Sequence, residues 1–258
     1  MSIDAGLFYA FLLVFVRCSA MLFSSPLFGA QNVPLQVRIF TTMALAGALT
    51  FTVKANIGQP PADMWTLVMA VGHEIVAGLL IGVFMSLILQ AAEMAGSFID
   101  LQMGLSSSQA LNPVTGVSVS IIAQFKYMLG LVIFLNIDGH HVMLNAFVHS
   151  YEAMPAPTVA MLPSLQTSFV GLITQLSLLA LQIAAPVAAV SIVVDAAMGV
   201  INKAVPQMQI FLVGLPAKII VGMLALTIAL PALVSGVQIG VETASASLYQ
   251  TFQPHHGR

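Results

Sequence analysis

The sequence predicts an all-α membrane protein built of kinked helical hairpins, and three observations predict it. Of 258 residues, 59% are hydrophobic and 6% charged, with a mean hydropathy of +1.01, whereas a soluble domain carries about a quarter charged residues. The apolar residues gather into runs long enough for membrane helices, separated by breaks rich in Pro, Gly, Asn and Ser. The two longest runs also carry internal prolines, Pro186 in one and Pro216 and Pro231 in the other. Proline inside a helix removes a hydrogen bond and bends it.

Several function classes fall away on composition. A net charge of −2 leaves no basic footprint for nucleic acid. Cys18 is the single cysteine, so neither an intrachain disulfide nor a cysteine zinc site can form. Met1-Ser2-Ile3-Asp4 lacks the positive region and cleavage site of a removable signal peptide, and the first hydrophobic segment is expected to be retained. No nucleophile elbow, phosphate-binding glycine loop or metal-ligand cluster is found, so neither an enzyme nor a cofactor is expected.

Ala5 to Phe28 gives about 24 residues, roughly 36 Å of helix and enough to cross a bilayer core. Arg17 sits in its middle, where a charge costs about 2.5–3.5 kcal/mol on insertion scales, so it should pair, snorkel or face a protein interior. After Ser24-Ser25-Pro26 and Asn32-Val33-Pro34, the run from Ile39 to Val53 is only about 15 residues, roughly 22 Å and short for an independent span. Thr41, Thr42, Thr50 and Thr52 make it half polar, which predicts shelter by neighbouring helices. Gly58 to Asp63 reads as a turn with Asp63 as helix cap. Met64 to Leu89 is the next long run. Gly78 and Gly82 in it have the Gly-x-x-x-Gly spacing that permits close helix packing. His73-Glu74 is not a zinc-protease motif, because Ala77 stands where the second histidine is needed. Glu74 is expected to find a buried partner.

Gln90 to Gly116 is the longest polar interruption. Gln90, Glu93, Ser97 and Asp100 form one stripe on a helix, beside Ala91, Ala92, Met94, Ala95 and Phe98, and the stripe wants water or a partner. From Met103-Gly104-Leu105 onward, Ser106, Ser107, Ser108, Asn112, Pro113, Val114 and Gly116 favour a loop. Val117 to Ile137 is again long enough to span, with Lys126 near its centre, and Asp138 can cap a helix running to Tyr151. The adjacent His140 and His141 should point to different helix faces and make a poor metal pair. His149 adds no convincing ligand set, so no metal is expected.

Met154-Pro155-Ala156-Pro157 and Leu162-Pro163 divide the chain near its centre. Ser164 to Val194 and Ile210 to Val241 then read as two long helices, and the sequence turns polar from Thr243 to Arg258. Asp100-Leu101-Gln102-Met103-Gly104 resembles Asp195-Ala196-Ala197-Met198-Gly199. Each is followed by a proline, Pro113 or Pro206, so both are expected to be bends, the second comprising Met198, Gly199, Pro206, Gln207 and Met208, as in a duplicated hairpin. Arg38, Lys54, Lys203 and Lys218 are too few to set an orientation by charge bias.

Taken together, Gln102-Met103-Gly104 with Asn112-Pro113, Asn136 to His141 leading to Ser150-Tyr151 and Pro155, and Pro206 to Phe211 with Gly214-Leu215-Pro216 resemble the FliR/SpaR/YscT family in order and spacing across nearly the whole chain. The resemblance implies a subunit of the bacterial type III secretion export gate, the flagellar one in preference, in the inner membrane at the basal body of a flagellum or injectisome. Its implied partners are FliP-like and FliQ-like subunits, an FlhB-like protein, membrane lipid and unfolded export substrates in transit. It also implies a FliP-like portion, residues 1–163, a FliQ-like long bent hairpin, residues 164–241, and a polar tail, residues 242–258. The family's plug loop maps onto Leu105 to Gly116. Arg17, Glu74, Gln90, Glu93, Asp100, Lys126, Asp195 and Lys203 become candidate subunit or lumen contacts. A second reading, an ion-coupled secondary transporter, would use Glu74, Asp100, Lys126 and Asp195 as relay groups near interrupted helices.

Overall fold

The computed structural model describes residues 5–29, 33–53, 57–61, 63–105, 120–153, 162–205 and 210–252. Among them are seven helices: α1 (Ala5–Ser24), α2 (Leu35–Val53), α3 (Met64–Met103), α4 (Ile121–Asn136), α5 (Gly139–Ala153), α6 (Leu162–Ala204) and α7 (Ile210–Phe252). The fold is all-α. Five of these helices are long and apolar enough to cross a membrane, and α4 with α5 passes the same test only as a pair joined across a break.

Helix boundaries depart from the hydropathic runs at several places. α2 begins at Leu35 rather than Ile39, because the Pro34 carbonyl accepts the Arg38 N–H and opens the helix one turn earlier. Its 19 residues reach roughly 28 Å, enough for a span. The expected shelter of its threonines is only partial: Thr42 and Thr50 are buried and donate to the carbonyls of Arg38 and Ala46, while Phe40 and Phe51 are exposed. α4 is shorter than expected. Ser120 caps it, accepting the Ala123 N–H at 3.1 Å, and it stops at Asn136.

α3 is a single helix of 40 residues, roughly 60 Å, and the polar stripe from Gln90 onward lies within it. α6 and α7 have 43 residues each and stay helical through Pro186, Pro216 and Pro231. Met198 and Gly199 therefore lie inside α6, and the expected second bend there is corrected. With no residue that ends a helix before Val205, the helix continues past Gly199, and Pro206, Gln207 and Met208 lie outside the described residues. The polar composition from Thr243 does not end α7 either. Val241, Ala244, Leu248 and Thr251 recur at helical spacing and are buried.

Contacts divide the chain into two compact units that interleave in sequence. The first comprises Met1–Leu87, Asp138–Ile173 and Val241–Arg258, and the second Ile88–Ile137 and Thr174–Gly240. Within the first, Ala10, Leu13, Val14, Cys18, Met21 and Leu22 form the buried face of α1. Gly78 of α3 lies against Arg17 and Ala20, and Gly82 lies against Met21 and Ser24. Both numbers rise together, so α1 and the start of α3 run in the same direction, with α2 packed on α1 between them in sequence. Within the second unit, Gly236 faces Ile183 and Leu179, while Asp195 pairs with Lys218. These portions of α6 and α7 are thus an antiparallel hairpin.

Candidate functional site

Two polar constellations stand out, one in each unit. In the first, the Arg17 guanidinium of α1 is completely buried and meets partners from two other helices, α3 and α5. Its Nε donates to Glu74 Oε2 at 2.5 Å and its Nη1 to Ser150 Oγ at 2.7 Å. Tyr151 donates its hydroxyl to the same Glu74 oxygen at 3.0 Å, and its ring lies 3.6 Å below the guanidinium carbon. Ser150 in turn donates its hydroxyl to the Phe147 carbonyl. Arg17 Nη2 has no partner among the described residues. The pairing demanded by a mid-helix arginine and a mid-helix glutamate is thus met by each other, on α1 and α3, with α5 completing the shell. A carboxylate held by a guanidinium and a phenol is a structural tie rather than an open relay site.

The second constellation closes the two ends of residues 106–119. At the C-terminus of α3, Gly104 adopts φ 76. Its N–H reaches the Leu101 carbonyl, and the Leu105 N–H reaches the Asp100 carbonyl at 3.1 Å. This 6→1 and 5→2 pairing is a Schellman stop, for which glycine is suited because a left-handed backbone carries no Cβ penalty. On the far side Ser120 begins α4, and its hydroxyl also donates to Asp100 Oδ2. Asp100 is 3% exposed, and its Oδ1 has no hydrogen-bond partner among the described residues. Gly96 adds closeness: a Cβ there would meet Ala123 N at 2.7 Å and Ile122 O at 2.8 Å. Helix end, cap and side-chain bond thus hold Asp100 and Ser120 together across a 20-residue separation.

The remaining candidates scatter. Of the polar stripe, Gln90, Glu93 and Ser97 are exposed while Asp100 is buried. Met103 is fully buried, its side chain against Gly222 of α7. This corrects its place among the loop's deformable contacts, since it belongs to the packed end of α3. Leu105 is half-buried, and Ser106, Ser107, Ser108, Asn112, Pro113, Val114 and Gly116 lie outside the described residues. Lys126 is 1% exposed, with no ion pair among the described residues. Asp195 pairs with Lys218 at 2.8 Å, and Lys203 is exposed near the end of α6. The four relay candidates of the transporter reading are not brought together: Glu74 bonds Arg17, Asp100 bonds Ser120, Asp195 bonds Lys218, and Lys126 meets none of them.

Sequence reasoning missed Ser120, Ser150 and Tyr151 as partners. Ser120 carried a readable signal, a serine directly before the apolar run Ile121-Ile122-Ala123. Ser150 and Tyr151 carried none for this role. The divergence expected of His140 and His141 is also corrected. Their ring centroids are 4.2 Å apart, and both turn toward the Asp138 carboxylate.

The profile of a family described as bacterial export proteins, family 1, matches residues 8–244. The chain is 35% identical to the flagellar biosynthetic protein FliR of Bacillus subtilis (strain 168) over 230 residues, which covers 86% of each chain. It is 33% identical to FliR of Caulobacter vibrioides over 222 residues, covering 86% of this chain and 88% of the relative. With FliR of Escherichia coli (strain K12) the identity is 27% over 219 residues, covering 84% and 82%.

Proposed function

We propose, from the premise that the chain belongs to the bacterial export proteins, family 1, which takes in FliR, that it is a subunit of the flagellar export gate of type III secretion. Membership makes it a non-enzymatic membrane component of bacterial export, in the inner membrane at the basal body. With FliP-like and FliQ-like subunits it forms a channel for unfolded export substrates, with an FlhB-like protein associated and lipid around the remaining apolar surface. Residues 1–163 play the FliP-like part and residues 164–241 the FliQ-like part. Leu105 to Gly116 plugs the resting lumen.

The observation that carries the plug reading is the joined base of residues 106–119. A segment that must fill a pore and then move aside needs ends that stay put, and Asp100, Gly104 and Ser120 supply them. Serines 106 to 108 keep such a segment wettable, and Gly116 gives it a point of bending. Assembly is supported by the helices themselves. α6 and α7 are each roughly 64 Å long, about twice a bilayer core, and carry exposed Ile192, Val193, Val200, Ile220, Leu224 and Ile228. Surfaces of that length need protein as well as lipid beside them.

Native mass spectrometry tests the assembly, with the chain expressed alone and beside FliP-like and FliQ-like proteins from the same source and extracted in mild detergent. A hetero-complex containing this chain is expected. A stable homo-oligomer indifferent to those partners removes the gate and favours the transporter. Deleting Leu105 to Gly116 tests the plug: ion leak through the assembled complex should rise several-fold, and an unchanged leak in a complex that still assembles removes that role.

A further inference from the structure

We propose that Asp138, His140 and His141 form a binding site for a divalent transition-metal ion of the zinc class. Each residue offers one ligand atom, and the three atoms lie within 4.8 Å of one another. His141 Nδ1 is 3.1 Å from Asp138 Oδ1, and His140 Nε2 is 4.0 Å from the same oxygen. A hydrogen bond explains the first approach. It does not explain the second, which is beyond hydrogen-bond reach.

Donors that share an ion at about 2.0–2.2 Å stand roughly 3–3.5 Å apart. The Asp138–His141 pair is already at that spacing, the Asp138–His140 pair needs less than about 1 Å of closure, and the third pair, His140–His141, starts within 4.8 Å. Asp138 and His141 are exposed and His140 partly so, which leaves their torsions free to make it. The convergence comes from the backbone. Asp138 precedes the helix with φ 57, and its carbonyl takes the N–H groups of His141 and Val142 at 2.9 and 3.2 Å. That winds the first turn of α5 around it, so two neighbours that would diverge in mid-helix turn back on one carboxylate.

Two imidazoles and one carboxylate are a borderline donor set, suited to zinc, cobalt or nickel rather than to calcium or magnesium, which take oxygen ligands. Water completes the coordination at this exposed position. His140 Nδ1 is buried without a partner among the described residues, so no acceptor orients that ring. Loss of such outer support costs about 10–100-fold in affinity, which places this site in the micromolar range rather than among tight structural sites. The inference does not depend on the export reading.

The test uses the full chain in detergent, purified without a polyhistidine tag and carrying His255→Ala and His256→Ala, with zinc chloride titrated against a chromogenic chelator. One equivalent should bind at micromolar Kd, weakened at least tenfold in His140→Ala, in His141→Ala and in the near-isosteric Asp138→Asn. His149→Ala, which removes an exposed histidine paired with Glu152, should bind as the parent does. Helical circular dichroism checks that each variant folds. Failure to bind one equivalent below about 1 mM, or affinity unchanged in both His140→Ala and His141→Ala, overturns the site.

Discussion

Glu74→Ala should cost the chain about 3–5 kcal/mol of stability, the penalty of breaking a buried ion pair from one side. Arg17 would stay fully buried with Ser150 and the Tyr151 ring as its remaining partners, and Tyr151 would lose the acceptor for its hydroxyl. Against a typical stability of about 5–15 kcal/mol, that loss is enough to deplete the folded chain. Removing both charges is a different experiment. Arg17→Met with Glu74→Met leaves neither charge stranded and keeps most of the volume, and buried pairs replaced this way are often neutral or better. The double variant should therefore recover most of what the single one loses. Thermal loss of helical signal in detergent, read beside the amount of protein in membranes, measures both. Equal losses in single and double variants would mean that the pair is not what holds α1, α3 and α5 together.

Gly78→Val should be nearly as damaging, for a reason of space rather than charge. A Cβ at Gly78 would stand 2.8 Å from Ala20 Cβ and 3.1 Å from the Arg17 carbonyl carbon. At Gly82 it would stand 2.5 Å from the Met21 carbonyl oxygen. The Arg17 and Met21 carbonyls are backbone of α1 and cannot swing away, so α1 must move off α3, breaking the Arg17–Glu74 geometry as it goes. Overpacking usually costs about 1–3 kcal/mol, and a backbone obstacle puts Gly78→Val at the top of that range or beyond it. Gly72→Ala on the same helix meets nothing within 4 Å and should gain roughly 0.5–1 kcal/mol from helix propensity. Gly236→Ala should lie near zero, because its obstacle is the flexible tip of Ile183 at 2.6 Å. The same thermal assay orders the three, and a Gly78→Val protein as stable as the parent would refute the close packing.

The sequence carries two Gly-x-x-x-Gly spacings, Gly78 with Gly82 and Gly236 with Gly240, and only the first abuts backbone. Gly78 and Gly82 face α1, whereas Gly236 and Gly240 face the side chains of Ile183 and Ile88. Likewise, the two Asp-x-x-Met-Gly stretches look alike, yet Gly104 stops a helix and Gly199 continues one. A short motif states what the backbone can do; its surroundings choose.

The sequence by itself determined the helical membrane character, the stop at Gly104 and the need for Arg17 and Glu74 to be paired. These follow from local rules, since propensity, helical period and the cost of a bare charge in hydrocarbon are read over a few residues. Only the tertiary structure decided which groups meet. Arg17 finds Glu74 across 57 residues and Ser150 across 133, and Asp100 finds Ser120 across 20. Partners so far apart are chosen by how whole helices pack, and packing is settled by shape over many residues at once, which no local pattern records.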